Sequence, residues 1–76
     1  MTEFNVKINT INDVKTFVNT VAKYDYDIDL ISGRYAIDAK SIMGIFSIDL
    51  SKDIVLKAHT DDADALKKDL AQFIVD

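Results

Sequence analysis

Ala39-Lys40-Ser41-Ile42-Met43-Gly44-Ile45-Phe46-Ser47 decides the fold, because it sets one short helix between segments patterned as strands. Ser41 is the predicted N-cap, since a serine hydroxyl there accepts a hydrogen bond from a free amide of the first turn. The helix is predicted from Ile42 to about Ser47. Ile45, with Ile48 just beyond it, suffices to pin the helix to a core. Ile42, Met43 and Phe46 are then left as i, i+1, i+4 neighbours on an outer face. Upstream, Ile28 and Leu30 alternate with Asp27 and Asp29 in the two-residue period of a half-buried strand. Ser32-Gly33-Arg34 reads as a hairpin turn in which Gly33 supplies a positive φ, and Tyr35 to Asp38 returns as the next strand. Downstream, Ile54, Leu56 and Ala58 mark a further strand, with Val55, Lys57 and His59 on its other face.

The two ends repeat these patterns. Phe4, Val6 and Ile8 alternate with Asn5, Lys7 and Asn9, giving a first strand. Val14, Phe17, Val18 and Val21 follow the i, i+3, i+4, i+7 spacing of an amphipathic helix. Asn12 is the predicted cap, and Asp13 opposes the positive end of the helix dipole. Thr60, Asp61 and Asp62 are predicted as an N-cap and acidic first turn for a last helix, which carries Ala63, Leu66, Leu70, Phe73 and Ile74 on one stripe. The order β-α-β-β-α-β-α buries every stripe if three helices cover one face of a four-stranded antiparallel sheet. The expected class is therefore α+β, an open-faced β-sandwich, formed as a single domain over residues 1–76.

Composition narrows the function. Of the 76 residues, 49% are hydrophobic, enough to fill one small core, so disorder is not expected. A net charge of −4, with Lys and Arg scattered among acids, argues against a nucleic-acid partner, whose phosphates demand a basic face. With no Cys there is neither a disulfide nor a thiolate metal site. No basic-then-apolar leader and no apolar run near the ~20 residues of a membrane span occur, so a cytoplasmic protein without membrane contact is expected.

Few residues offer chemistry. Asp25-x-Asp27-x-Asp29 and Asp61-Asp62-x-Asp64 lack the Gly and terminal Glu of a calcium loop, so they read as solvated charge and no metal is expected. His59 is the only histidine and reads as a solvated, unpaired surface residue beside Lys57. There is no Gly-rich phosphate loop, no catalytic triad and no metal-ligand spacing. No enzymatic activity and no cofactor are expected.

Lys40-Ser41-Ile42-Met43-Gly44 closely resembles the regulatory-serine segment of HPr, the small histidine-containing phosphocarrier of the bacterial sugar phosphotransferase system. Val21-Ala22-Lys23-Tyr24-Asp25 resembles the end of that family's first helix, and its spacing to Ser41 also agrees. The resemblance implies the same β-α-β-β-α-β-α arrangement across nearly the whole chain. The family's Gly-x-His-x-Arg-Pro motif, which carries the phosphorylated histidine, falls at residues 8 to 13. This chain reads Ile8-Asn9-Thr10-Ile11-Asn12-Asp13 there. Thr10 stands at the histidine position, Asn12 at the arginine position and Asp13 at the proline position. Thr10 offers a hydroxyl that no base activates, Asn12 brings no charge to clamp a phosphate, and Asp13 repels one.

What the resemblance implies is an HPr-like protein without phosphocarrier chemistry. It would act by protein–protein contact in regulation linked to the phosphotransferase system. Ser41 is the expected site of regulatory phosphorylation, and Ile42, Met43 and Phe46 are the expected docking patch, adaptable because it contains a methionine. The implied partners are proteins: a serine kinase, a transcription regulator or phosphotransferase components, with the chain itself a monomer. Two rivals stand beside this reading. One is a phosphocarrier with a non-standard acceptor, Thr10 or His59, and the other is a structural or toxin-like use of the scaffold.

Overall fold

The computed structural model describes residues 1–75. Its elements run β1 (Thr2–Val6), α1 (Ile11–Val21), β2 (Ile28–Ser32), β3 (Tyr35–Asp38), α2 (Ile42–Phe46), β4 (Ile54–Ala58), α3 (Asp64–Asp69), a 3₁₀ turn (Ala71–Phe73) and β5 (Ile74–Val75). The strands form one antiparallel sheet in the order β3-β2-β4-β1-β5. Register follows the alternation in the sequence. Val6 faces Ile54, Phe4 faces Leu56, and Leu56 faces Leu30, so the apolar positions of three strands line up across one face. Helices α1, α2 and α3 cover that face, and Val14, Phe17, Val21, Ile45 and Leu66 join the strand residues in one core.

Phe17 sits at the centre. Its ring is fully buried and meets Phe73 edge-on, with centroids 5.5 Å apart and planes at 78°. The positive edge of one ring against the negative face of the other adds about 0.5–1.5 kcal/mol to the burial itself. The β2–β3 turn is built as its sequence implies. Ser32 pairs with Tyr35 across two loop residues, and Gly33 takes φ +60°, the value a II′ hairpin turn requires at its first central position.

Four local expectations are corrected. The sheet has five strands, not four. The stripe Ala63, Leu66, Leu70 and Phe73 is buried as expected, but α3 stops at Asp69 and the chain tightens into a 3₁₀ turn. Ile74 then pairs with Val6, and Val75 with Asn5. The edge of β1 supplies the unsatisfied backbone groups, and the Lys7 amide donates to the Phe73 carbonyl at 2.7 Å. Two β-branched residues at the end of an apolar stripe thus satisfy a sheet edge rather than extend a helix.

The cap of α1 is Thr10, not Asn12. The Thr10 hydroxyl accepts from the Asp13 amide at 3.0 Å, while the Asp13 carboxylate accepts from the Thr10 amide at 3.1 Å, a reciprocal capping box. Nor does Thr60, Asp61 or Asp62 cap α3. Its N-cap position is Ala63, without a side-chain cap, and the Asp62 carboxylate instead accepts from the Asp64 amide at 3.3 Å in a local turn.

Candidate functional site

Each residue of the Lys40–Gly44 run has a distinct physical role. Lys40 reaches away from α2, and its ammonium donates to the carbonyls of Tyr24 at 2.5 Å and Tyr26 at 3.0 Å. That clamps the loop between α1 and β2 onto the start of α2. Ser41 caps the helix as expected, its hydroxyl accepting from the Gly44 amide at 3.1 Å. Gly44 eases a tight approach rather than serving a turn. A Cβ there would lie 3.3 Å from Ser41 Oγ and 3.5 Å from Ile37 Cβ, so the missing side chain keeps room around the capping hydroxyl. Ile45 is fully buried and anchors the turn.

The remaining residues face outward. Ile42 is 36% exposed, Met43 76% and Phe46 46%, and they lie within a single five-residue helix directly after Ser41. The three side chains expected on the outer face are thus exposed, on the helix that Ser41 caps. A phosphate added at Ser41 Oγ would sit at the positive end of α2 and beside Met43.

The N-terminus of α1 is organised differently. The Asp13 carboxylate accepts from the amide of Asn9 at 3.2 Å as well as from that of Thr10. The Asp13 amide is in turn taken by the Thr10 hydroxyl. The amides of Asn9, Thr10 and Asp13 are thus taken up within the chain, and the Asp13 carboxylate places a negative charge at this helix end. Asn12 is exposed and lies one residue beyond Ile11, itself 65% exposed.

His59 is not unpaired. Its Nε2 lies 2.8 Å from the Asp29 carboxylate, with both side chains about two-fifths exposed. Pairing across β2 and β4 puts Asp29 opposite Lys57 and brings His59 diagonally beside it, on the sheet face away from the helices. Asp29 and Asp38 face each other on the same surface, so the neighbours of His59 there are two carboxylates and the Lys57 ammonium. Among the described residues no group of three His, Asp or Glu side chains is placed to hold a metal ion, and no helix is long and apolar enough to cross a membrane.

Sequence reasoning missed three of these roles. The Thr10-x-x-Asp13 spacing is a recognisable capping-box signal. Lys40 gave no local sign of its role, because its carbonyl partners lie 14 and 16 residues away. The His59–Asp29 pair follows only once the β2–β4 register is known.

The family model described as "PTS HPr component phosphorylation site" matches residues 12–76. The match takes in Asn12, Asp13 and Ser41 and begins two residues after Thr10. No curated protein sequence matches the chain. The fold is similar to the crystal structure of HPr-C-His from Thermoanaerobacter tengcongensis. The TM-score there is 0.80 and identity 29%, over 95% of this chain and 89% of that one. It is also similar to the phosphocarrier protein HPr of Bacillus anthracis, with TM-score 0.74 and 24% identity over 95% of each chain. The histidine-containing phosphocarrier protein of a mycoplasma shares the fold at TM-score 0.76 and 20% identity, over 93% of this chain and 89% of that one. Fold, the Lys40–Gly44 segment and the match over residues 12–76 lead to one conclusion: the chain belongs to the HPr family of the phosphotransferase system.

Proposed function

We propose that this HPr-family chain does not carry phosphate and instead acts by protein–protein contact, in regulation linked to the sugar phosphotransferase system. The observation that carries the reading is the Asp13 carboxylate bound to the amides of Asn9 and Thr10. A phosphoryl group transferred to this end of α1 would meet a fixed negative charge where carrier chemistry needs free donors and a cation. The working surface is Ile42, Met43 and Phe46, and the switch is phosphorylation of Ser41 by a serine kinase. A phosphoserine adds about two negative charges next to the patch and changes which partner it accepts. A transcription regulator or another phosphotransferase component is the kind of partner this reading implies. His59 makes a poor alternative acceptor, since it follows β4 rather than standing at a helix N-terminus, where free amides would receive the phosphate.

The test is phosphorylation with defined donors. Incubation with phosphoenolpyruvate and the first enzyme of the phosphotransferase system should leave no acid-labile phosphate on the chain. Incubation with ATP and an HPr serine kinase should leave one acid-stable phosphate, mapped to Ser41 by mass spectrometry. Stoichiometric phosphohistidine at His59 would overturn the non-carrier reading, and the absence of any mark on Ser41 would remove the switch.

A further inference from the structure

A cleft of about 230 Å³ lies between the β2–β3 turn and the loop from α2 to β4, lined by Ser32, Gly33, Arg34, Tyr35, Ile48, Asp49 and Lys52. We propose that this cleft binds a small organic anion, a phosphate or carboxylate on a ring-sized body, at a place separate from Ser41 and the α1 N-terminus.

The first argument is charge. Arg34 and Lys52 both line the cleft, and among the described residues neither has an acidic partner within ion-pair distance. Asp49, the one carboxylate in the lining, is already engaged. Its Oδ1 accepts from the Ser51 amide at 3.0 Å and the Ser51 hydroxyl at 2.6 Å. Those bonds hold its carboxyl below the usual range, with Lys52 and Lys7 adding to the effect. The Lys7 ammonium donates to the adjacent Ser51 carbonyl at 3.0 Å. Asp49 therefore stays ionised, and within the lining its single negative charge is outnumbered by Arg34 and Lys52, in a chain whose net charge is −4. Asp53 follows Lys52 in sequence but does not line the cleft.

The second argument is Ser32. It is 6% exposed, the one polar residue of the buried set among the described residues, and it lines the cleft. Its hydroxyl has no hydrogen-bond partner among the described residues. No fully sealed side-chain oxygen is left unpaired, so this hydroxyl retains contact with solvent, and the cleft is the space it lines. An unpartnered hydroxyl in a cleft that two cations also line is a suitable donor to an anionic oxygen. Tyr35, 65% exposed, and the half-buried Ile48 supply apolar walls for the body that carries the charge. The volume falls below the roughly 300 Å³ at which drug-sized sites begin, which limits the occupant to one ring or its equivalent.

Amide NMR titration of the whole chain tests this with four probes: phenyl phosphate, benzoate, inorganic phosphate and phenol. Saturable shifts centred on Gly33, Arg34, Tyr35 and Lys52 are expected with phenyl phosphate or benzoate, and whichever binds tighter names the anion. Arg34→Gln and Lys52→Gln, both on exposed side chains, should each raise the apparent Kd at least tenfold without changing the rest of the spectrum. Equal binding of phenol would mean an apolar hollow and overturn the proposal. Shifts that never saturate, that spread to Lys15, Lys67 and Lys68, or that survive both substitutions would overturn it as well.

Discussion

The Tyr24 hydroxyl donates to the Asp69 carboxylate across 2.5 Å, tying the loop after α1 to the end of α3 over 45 residues of sequence. Together with Lys40, which holds the carbonyls of Tyr24 and Tyr26, it makes that loop a junction between all three helices.

The bond predicts an alkaline transition. Donation to Asp69, then burial, then the charge of Asp69 push the Tyr24 phenol up to about 12 from its ordinary value of 10.0. A raised phenol favours the neutral form in the folded chain. Its contribution is therefore complete below the unfolded pKa and lost as pH rises through the folded one. Tyr24→Phe should cost about 0.5–1.5 kcal/mol at pH 8, toward the lower figure because the bond is exposed. The gap to wild type should close between pH 10 and 12, as read by urea denaturation at each pH. A gap that stayed constant across that window would mean the phenol–carboxylate bond does not form.

Removing the capping hydroxyl of α1 by Thr10→Ala should cost about 0.5–2 kcal/mol in thermal denaturation. Replacing Asn12 by Ala should have little effect, since it caps nothing. The reverse order would return the helix start to Asn12.

Core and surface should separate cleanly. Phe17→Ala and Leu70→Ala should each cost about 2–5 kcal/mol, since both side chains are fully buried. His59→Ala should cost no more than about 1 kcal/mol, the usual upper end for an exposed ion pair such as His59–Asp29. Chemical denaturation of the three variants checks the ranking.

The proposed docking patch makes the sharpest functional prediction. Met43→Glu should leave thermal stability within about 0.5 kcal/mol, because a mostly exposed side chain contributes little to the fold. It should abolish capture of a purified serine kinase or phosphotransferase component that binds wild type, because a charge buried at an interface loses its solvation without compensation. Ser41→Asp should alter capture of the same protein, whereas Ser41→Ala should mainly cost about 1 kcal/mol of helix capping. Equal capture by all variants would leave Ile42, Met43 and Phe46 as ordinary surface.

The parts legible in the sequence were those set by short-range pattern. Val14, Phe17 and Val21 declared α1, Gly33 the hairpin and Ser41 the start of α2, because each acts within a few residues of itself. The parts that were not legible depend on partners brought in by the fold. The helical stripe of Leu66, Leu70 and Phe73 continues into Ile74, and only the open edge of β1 turns that last residue into a strand. Thr10 and Asp13 were legible in principle, yet attention to Asn12 as a cap hid a reciprocal pair three residues apart. At the functional site, the exposure of Ile42, Met43 and Phe46 followed from periodicity. Lys40 did not, since nothing local reveals that a lysine will hold two carbonyls far upstream.

The strand order β3-β2-β4-β1-β5 also constrains how the chain assembles in time. Only β2 and β3 are joined by a tight turn. The other pairings join distant segments: Ala58 of β4 must find both Ile28 and Thr2, and β5 must return to β1. Such distant closures lose chain entropy before they return contacts, so they come late. The β2–β3 hairpin is thus the one piece of sheet free to form early. It carries the Gly33–Arg34 turn and leads directly into Lys40 and Ser41, so the segment that holds the proposed switch can take shape before the sheet that supports it has closed.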